Sequence, residues 1–160
     1  MEALLVAITL LILPRTPMGS NAPTDPGSGS ITRAGGGAVR VAALGAITNH
    51  GSITANGGPG DYYSGSGSGG SVYLECRTLA GTGGTITANG GSYDLGYTKG
   101  ERCGGGGGRI AVIYNSPAQS NEPIPGITFQ AAGGHGAGEV YGERGTFFFP
   151  DNQFLTNSVV

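Results

Sequence analysis

Asp61 and Asp94 occupy matching places in two near-copies of one segment. Stacked on neighbouring turns of a repeat, two carboxylates repel unless a cation or a hydrogen bond lies between them. The stretch "GGPGDYYSG" (57–65) approaches the calcium-binding pattern G-G-x-G-x-D-x-U-x, with the acid one residue early and without a tandem copy. The alternative is a pair of solvated loop carboxylates. Tyr62, Tyr63, Tyr93 and Tyr97 follow the two "ITANGG" segments on one flank. Exposed tyrosines there would offer flat apolar faces with a polar tip, suited to stacking on sugar rings or on a protein partner. Folded back, the same rings would cover corners of the core.

Other chemistry finds less. Gly65, Gly67 and Gly70 satisfy G-x-G-x-x-G, but dinucleotide binding needs a strand before the motif, a helix after it and an acid some way on. His50 and His135 stand alone, without the spacing a metal site needs. Glu75, Glu101, Glu139 and Glu143 are dispersed, whereas a glycoside-cleaving site needs carboxylates gathered on one face. Glu75 does share its strand's outward face with Tyr73 and Arg77, a common arrangement on solvated sheets. Cys76 and Cys103 are an even pair that an oxidising compartment would join. Cys76 also falls on the inward parity of "SVYLEC", which suits a buried free thiol equally well. No catalytic set and no cofactor are expected.

The elements that must position these residues are set by glycine and by repetition. Glycine supplies 34 of 160 residues and charged types only 11%. The glycines punctuate short β-branched runs, "AVRVAAL", "SVYLEC", "RIAVIY" and "GITFQA", which is the pattern of an all-β chain with many turns. The formal charge of −2, with scattered Lys and Arg, gives no electrostatic grip on nucleic acid.

"GSITANGG" (51–58) returns as "GTITANGG" (84–91), and the match extends without a gap over 35–58 and 68–91. A looser copy covers 104–134, and a fourth begins at "GAGEVYGER" before losing the pattern. Val39/Val41, Val72/Leu74 and Ile110/Val112 take the same inward places in a first strand. Ile53/Ala55, Ile86/Ala88 and Ile127/Phe129/Ala131 do so in a second. Such a period marks units that need their neighbours. Asn56 and Asn89 are placed to bond between rungs, and the Gly-Gly pairs after them to turn corners. The expected fold is an all-β parallel β-solenoid (β-helix) of about three Gly-rich repeats; the alternative is a β-sandwich.

Residues 1–19 form an apolar leader. Ala3 to Leu13 has the length of a signal-peptide core and is too short to span a bilayer as a helix, although Glu2 stands where a basic residue is usual. Residues 20–33 read as a flexible linker, 34–142 as the repeats, and 143–160 as a cap or the start of a further repeat. Phe147, Phe148, Phe149 and Phe154 are the expected closing strand, since an open rung end is an unpaired edge.

The combination "SGGSVYLE … GTITANGG … GGGGGRIAVIY … AGGHGAGEVY" resembles the glycine-rich repeats of large secreted and cell-surface adhesin-like proteins, over roughly residues 34 to 142. The resemblance implies an extracellular β-helical module, usually one stretch of a longer chain. The expected function is structural or adhesive and non-enzymatic, secreted or at the cell surface. An extracellular protein or glycan partner, or end-to-end self-association, goes with it, and no stable membrane span. The alternative is a carbohydrate-binding or carbohydrate-active β-helix using the loop tyrosines. A third reading is a truncated product with no independent function.

Overall fold

The computed structural model describes residues 22–61, 64–93, 103–137 and 140–155. Among them the chain is all-β, with a single four-residue helix. Each inward run of Val, Leu and Ile alternates with residues that face away, so the runs form strands that bury one side. The strands of the first sheet are β1 (Ala38–Ala42), β4 (Ser71–Glu75), β7 (Arg109–Ile113) and β9 (Thr146–Phe148). They lie side by side in the order β1-β4-β7-β9, all parallel. β2 (Ala46–Thr48) and β5 (Thr78–Ala80) make a second parallel pair. β3 (Ser52–Thr54), β6 (Thr82–Thr87) and β8 (Gly126–Gln130) make a third parallel sheet.

Register follows the sequence repeat. Val39, Val72, Ile110 and Phe147 stand in one column, and Val41, Leu74 and Val112 in the next. Ile53, Ile86 and Phe129 form the matching column of the third sheet. All three sheets feed one core, in which Val72, Leu74, Leu79 and Ile86 are fully buried. Each such side chain contributes roughly 1.5–3 kcal/mol by leaving water. On the opposite face of the first sheet the middle is also buried: Tyr73 and Ala111 are covered, with Ala111 flanked in register by Tyr73 and Phe148, while Arg40, Glu75 and Arg109 stay exposed.

The glycines do something other than turn corners. Outside the strands the chain passes lie side by side as a bundle. Gly58 N–H donates to Ala34 O, Gly67 to Gly58, Gly91 to Gly67, Gly105 to Gly91, Gly134 to Gly105 and Gly142 to Gly134, all at 2.8–2.9 Å. A Cβ on Gly91 would lie 2.0 Å from Gly58 O, and one on Gly134 1.8 Å from Gly91 O. Among the described glycines, positive φ occurs at Gly81 and Gly83 alone. Of the Gly-Gly pairs after Asn56 and Asn89, expected as corners, Gly57, Gly90 and Gly91 are therefore required by close approach of backbone to backbone, while Gly58 is merely tight. The same logic puts glycine at the axis of collagen. The expected asparagine ladder forms as a staircase: Asn56 Oδ1 accepts from Asn89 N–H (2.7 Å), and Asn89 Oδ1 accepts from Ala132 N–H (2.8 Å).

Two irregularities break the repeat. First, β1–β4 and β3–β6 keep the spacing of the gap-free match, but Ile47 pairs with Leu79, one residue out of step. The chain regains the lost residue across Gly81 (φ 146) and Gly83 (φ 70). Second, the third turn places no strand beside β5. There the chain forms α1 (Ser116–Gln119), capped by Asn115, whose Oδ1 accepts from Ala118 N–H at 2.9 Å. Gln119, 1% exposed, takes the strand's place: its Oε1 accepts from Leu79 N–H (2.7 Å) and its Nε2 donates to Leu79 O (3.2 Å). One side chain thus satisfies the backbone groups that a third strand would have paired.

At the far end, Phe154 is buried against Tyr114 (centroids 4.5 Å apart), Phe129 (6.1 Å) and Phe149 (5.7 Å). Tyr114 donates to the Asp151 carboxylate at 2.5 Å, and Gln153 donates to the same group. Residues 25–33, read as part of a linker, lie docked: Ser68 N–H donates to Ser28 O, and Ser71 Oγ donates to Asp25 O. No helix among the described residues is long and apolar enough to cross a membrane.

Candidate functional site

Two surfaces gather chemistry-bearing side chains. The first is the flank carrying the second halves of the "ITANGG" loops. Gly60 pairs in parallel with Tyr93, keeping the register that aligned Asp61 with Asp94. Asp61 is held by Arg33, Nη2 to Oδ2 at 2.6 Å, each side chain about a third exposed. A cation at Asp61 would have to compete with this guanidinium. No group of three or more metal-binding side chains occurs among the described residues. Asp94, Tyr62, Tyr63 and Tyr97 lie outside the described residues.

Tyr93 corrects the expectation of an exposed ring. It is 3% exposed, and its hydroxyl is buried without a hydrogen-bond partner. Its backbone stitches the flank instead, donating to His135 O at 2.7 Å. The buried ring has no exposed face to offer a ligand. Below it, Ser64 is buried and shares a 2.7 Å hydrogen bond with Ser30 Oγ, which also donates to Gly65 O. These bonds fasten the docked segment to the flank.

The second surface is the outer face of the first sheet. Arg40, Tyr73 and Glu75 form one cluster there. The guanidinium lies 4.8 Å above the Tyr73 ring, Tyr73 donates to Glu75 Oε2 at 3.1 Å, and Arg40 comes within 4.0 Å of Glu75. Burial, followed by the Glu75 charge and hydrogen bond, pushes the Tyr73 phenol above its ordinary pKa. The ring is 7% exposed and has no free face for a sugar. Beside it runs an open groove of about 290 Å³, floored by Gly69, Gly70, Gly107 and Gly108, with Asp25 and Arg109 on its walls. Ligand pockets are typically about 300–1,000 Å³ and mostly apolar, so this groove is small and of the wrong polarity.

The phosphate reading of "GSGSGG" meets a specific obstacle. Gly67, Gly69 and Gly70 donate their N–H groups to Gly58 O, Gly106 O and Ala55 O. The amides that would cradle a phosphate are already bonded, and a strand follows, as the sequence indicated.

The cysteines do not pair. Both are free thiols, Cys76 buried and Cys103 exposed. Cys76 follows the end of β4 and donates its N–H to Ile113 O, whereas Cys103 precedes the glycine run that leads into the start of β7. They sit toward opposite ends of the first sheet, and a disulfide needs Cα atoms within about 7 Å. Burial raises the Cys76 thiol pKa, consistent with an inert core position. His50 is exposed, its Nδ1 accepting from Thr82 N–H at 3.1 Å. His135 meets Tyr141 edge to face at 4.9 Å. The two imidazoles serve separate loops.

Sequence reasoning did not find Arg33, Gln119 or the Tyr114–Asp151 pair. Asn115 with Pro117 behind it is a helix-start signal that could have flagged α1. Nothing in the sequence marks Gln119 as a substitute for a strand.

No protein-family model matches the chain, and no curated protein and no solved structure matches it either.

Proposed function

We propose that the chain is a non-enzymatic structural or adhesive module of the extracellular space, folded as a parallel β-solenoid. The observation that carries this reading is where the polar groups are spent. Glycine backbones bond to one another across the bundle, and Asn56, Asn89 and Gln119 bond to the backbone of neighbouring turns. Repeats of this kind build elongated, stiff units whose stability is a sum of neighbour contacts. The resemblance to glycine-rich adhesin-like repeats supports the extracellular placement, and two unbridged thiols are compatible with it without arguing for it.

The test presents the purified chain, immobilised on beads, to a glycan array and to a panel of extracellular matrix proteins. Retention on protein surfaces with a blank glycan array supports the structural or adhesive role. A glycan signal, or release of sugar from a polysaccharide panel, overturns it.

A further inference from the structure

Among the described residues the first three strands, β1, β2 and β3, each stand at the open edge of their sheet. In β1, flanking bonds from Ser71 N–H to Gly37 O and from Ala43 N–H to Glu75 O show that the odd-numbered residues face β4. The N–H and C=O groups of Ala38, Arg40 and Ala42 therefore point away from the molecule. By the same parity Ala46 and Thr48 face outward in β2, because Gly45 O accepts from Arg77 N–H and Asn49 N–H donates to Ala80 O of β5. Ser52 and Thr54 do so in β3. The apolar columns end here as well: Val39, Ile47 and Ile53 are only half-buried, and Val41 is 38% exposed.

Open edges are normally guarded by charge, proline or a bulge. These three strands carry one charge, Arg40, and its guanidinium leans back over Tyr73 of the next strand. The opposite end of the molecule offers no matching set of three edges. Among the described residues β9 ends the first sheet there without a further strand, but β5 is closed by Gln119, and Phe149 and Phe154 pack over Phe129. A head-to-tail contact could therefore engage β1 alone, whereas an isologous contact engages all three open strands at once.

We infer that the open edge of the first turn is a homodimer interface, in which two copies pair β1 with β1 and β2 with β3 as antiparallel strands about a two-fold axis. The backbone pattern is self-consistent, and the one like-charge pair it makes, Arg40 opposite Arg40 of the second copy, is eased because each guanidinium leans back over Tyr73. With the axis at Arg40, Ala38 falls opposite Ala42 of the second copy. Because β2 and β3 are each three residues long, Ala46 falls opposite Thr54, Ile47 opposite Ile53, and Thr48 opposite Ser52. Every residue whose backbone points outward meets another that does the same, as hydrogen-bonded antiparallel pairs require. The half-buried Val39, Ile47 and Ile53 then continue their columns across the axis. One turn per side is smaller than the roughly 20–30 residues of a standard interface, so the dimer is a reversible, concentration-dependent one.

This inference rests on the coil reading proposed above, and the experiment separates the two. Sedimentation velocity across a concentration series of the full chain should show a monomer–dimer equilibrium. Thr48→Lys with Ser52→Lys places like charges opposite each other twice per dimer, and Thr48→Lys with Ser52→Glu places opposite charges there. Cross-strand pairs of this kind are each worth roughly 0.2–1 kcal/mol, so with two per dimer the association should weaken about two- to thirtyfold in the first and tighten by a similar factor in the second. Ala42→Pro, which removes an outward N–H alone, should give monomer with an unchanged β-type circular dichroism melt. A wild-type monomer at every concentration with an intact melt overturns the interface alone, and so do open-ended polymers or equal behaviour of the two charge variants. Absence of any cooperative β melt overturns the coil and the interface together.

Discussion

Replacing Gly105 by alanine isolates the backbone bundle from everything else in the fold. A Cβ there would sit 1.9 Å from Gly67 O, 2.6 Å from Gly67 C and 3.1 Å from Gly91 N. The nearest of these is short of ordinary van der Waals contact by about 1.5 Å. Both obstructing atoms of Gly67 are backbone, so no side chain can swing aside. Relief requires the chain passes to separate. That strains the bonds Gly91 N–H to Gly67 O and Gly105 N–H to Gly91 O, each 2.9 Å. Overpacking of this kind costs about 1–3 kcal/mol, and weakening of two buried backbone bonds adds roughly 1 kcal/mol apiece. The expected loss is about 3–5 kcal/mol, or a fall of roughly 10–15 °C in Tm. Gly37→Ala is the control, because a Cβ there meets nothing within 4 Å. With φ in the ordinary range, it should leave stability unchanged or raise it by up to about 1 kcal/mol, through the unfolded chain. Urea titrations of the two variants beside wild type measure the difference. If Gly105→Ala costs no more than Gly37→Ala, the glycines are not there for close approach, and the bundle is refuted as the reason for the composition.

Gln119→Leu should cost about 2–4 kcal/mol in the same titration, because it strands the buried N–H and C=O of Leu79; a loss under about 0.5 kcal/mol would mean those groups find other partners. Ellman's reagent should titrate one thiol in the native protein and both in denaturant, and reductant should leave Tm unmoved, since Cys103 is exposed and Cys76 buried. The cap should respond to pH at both extremes. Burial alone would raise the Asp151 pKa, but hydrogen bonds from Ser116, Tyr114 and Gln153 outweigh it and hold the carboxyl below its ordinary value. Its contribution is therefore present above the unfolded value near 4 and is lost as pH falls through the lower folded value. Burial, then the Asp151 hydrogen bond and charge, raise the Tyr114 phenol. Its contribution is complete below the unfolded value near 10 and is lost as pH rises beyond it. Tyr114→Phe should flatten the alkaline limb of a Tm-versus-pH profile; a limb identical to wild type would place the alkaline loss elsewhere.

Much of the strand pattern was legible, because side-chain parity and the repeat report directly on register. Val39, Val72 and Ile110 align in the sequence copies and in the sheet. The buried side of Cys76 followed from the same parity. What could not be read were contacts between segments with no period of their own. Arg33 reaches Asp61 from a stretch whose composition reads as linker. Tyr93 looks like an exposed loop aromatic until the stacking of Gly60 on it is known. The glycines were visible, but their purpose was not. A glycine that makes a corner and one that admits a neighbour's carbonyl are identical in sequence, and only the neighbour tells them apart.

The gap-free alignment of the two best copies is the sharpest case, because it concealed a change. Ala42 pairs with Glu75 and Ile53 with Ile86, yet between them Ile47 pairs with Leu79. The second copy is one residue shorter before β5 and one residue longer after it. Sequence comparison sums these to nothing. Physically they do not cancel: the extra residue must be housed somewhere, and it falls at Gly81–Gly83, where positive φ is tolerated. Asn49 sits at that spot, with its carbonyl oxygen 1.9 Å from where a Gly81 Cβ would be and its side-chain oxygen accepting from Gly51 N–H. Gly81→Ala would therefore meet both obstacles at once, a backbone contact with no room and a φ that L-residues avoid. Gly83→Ala would meet only the second, since nothing lies within 4 Å of its Cβ. The difference in stability between these two variants combines the contact with Asn49 and the greater strain of φ 146 over φ 70. It should be positive by at least about 1–3 kcal/mol, and equal losses would show that neither the contact nor the more extreme φ sets the cost of the insertion.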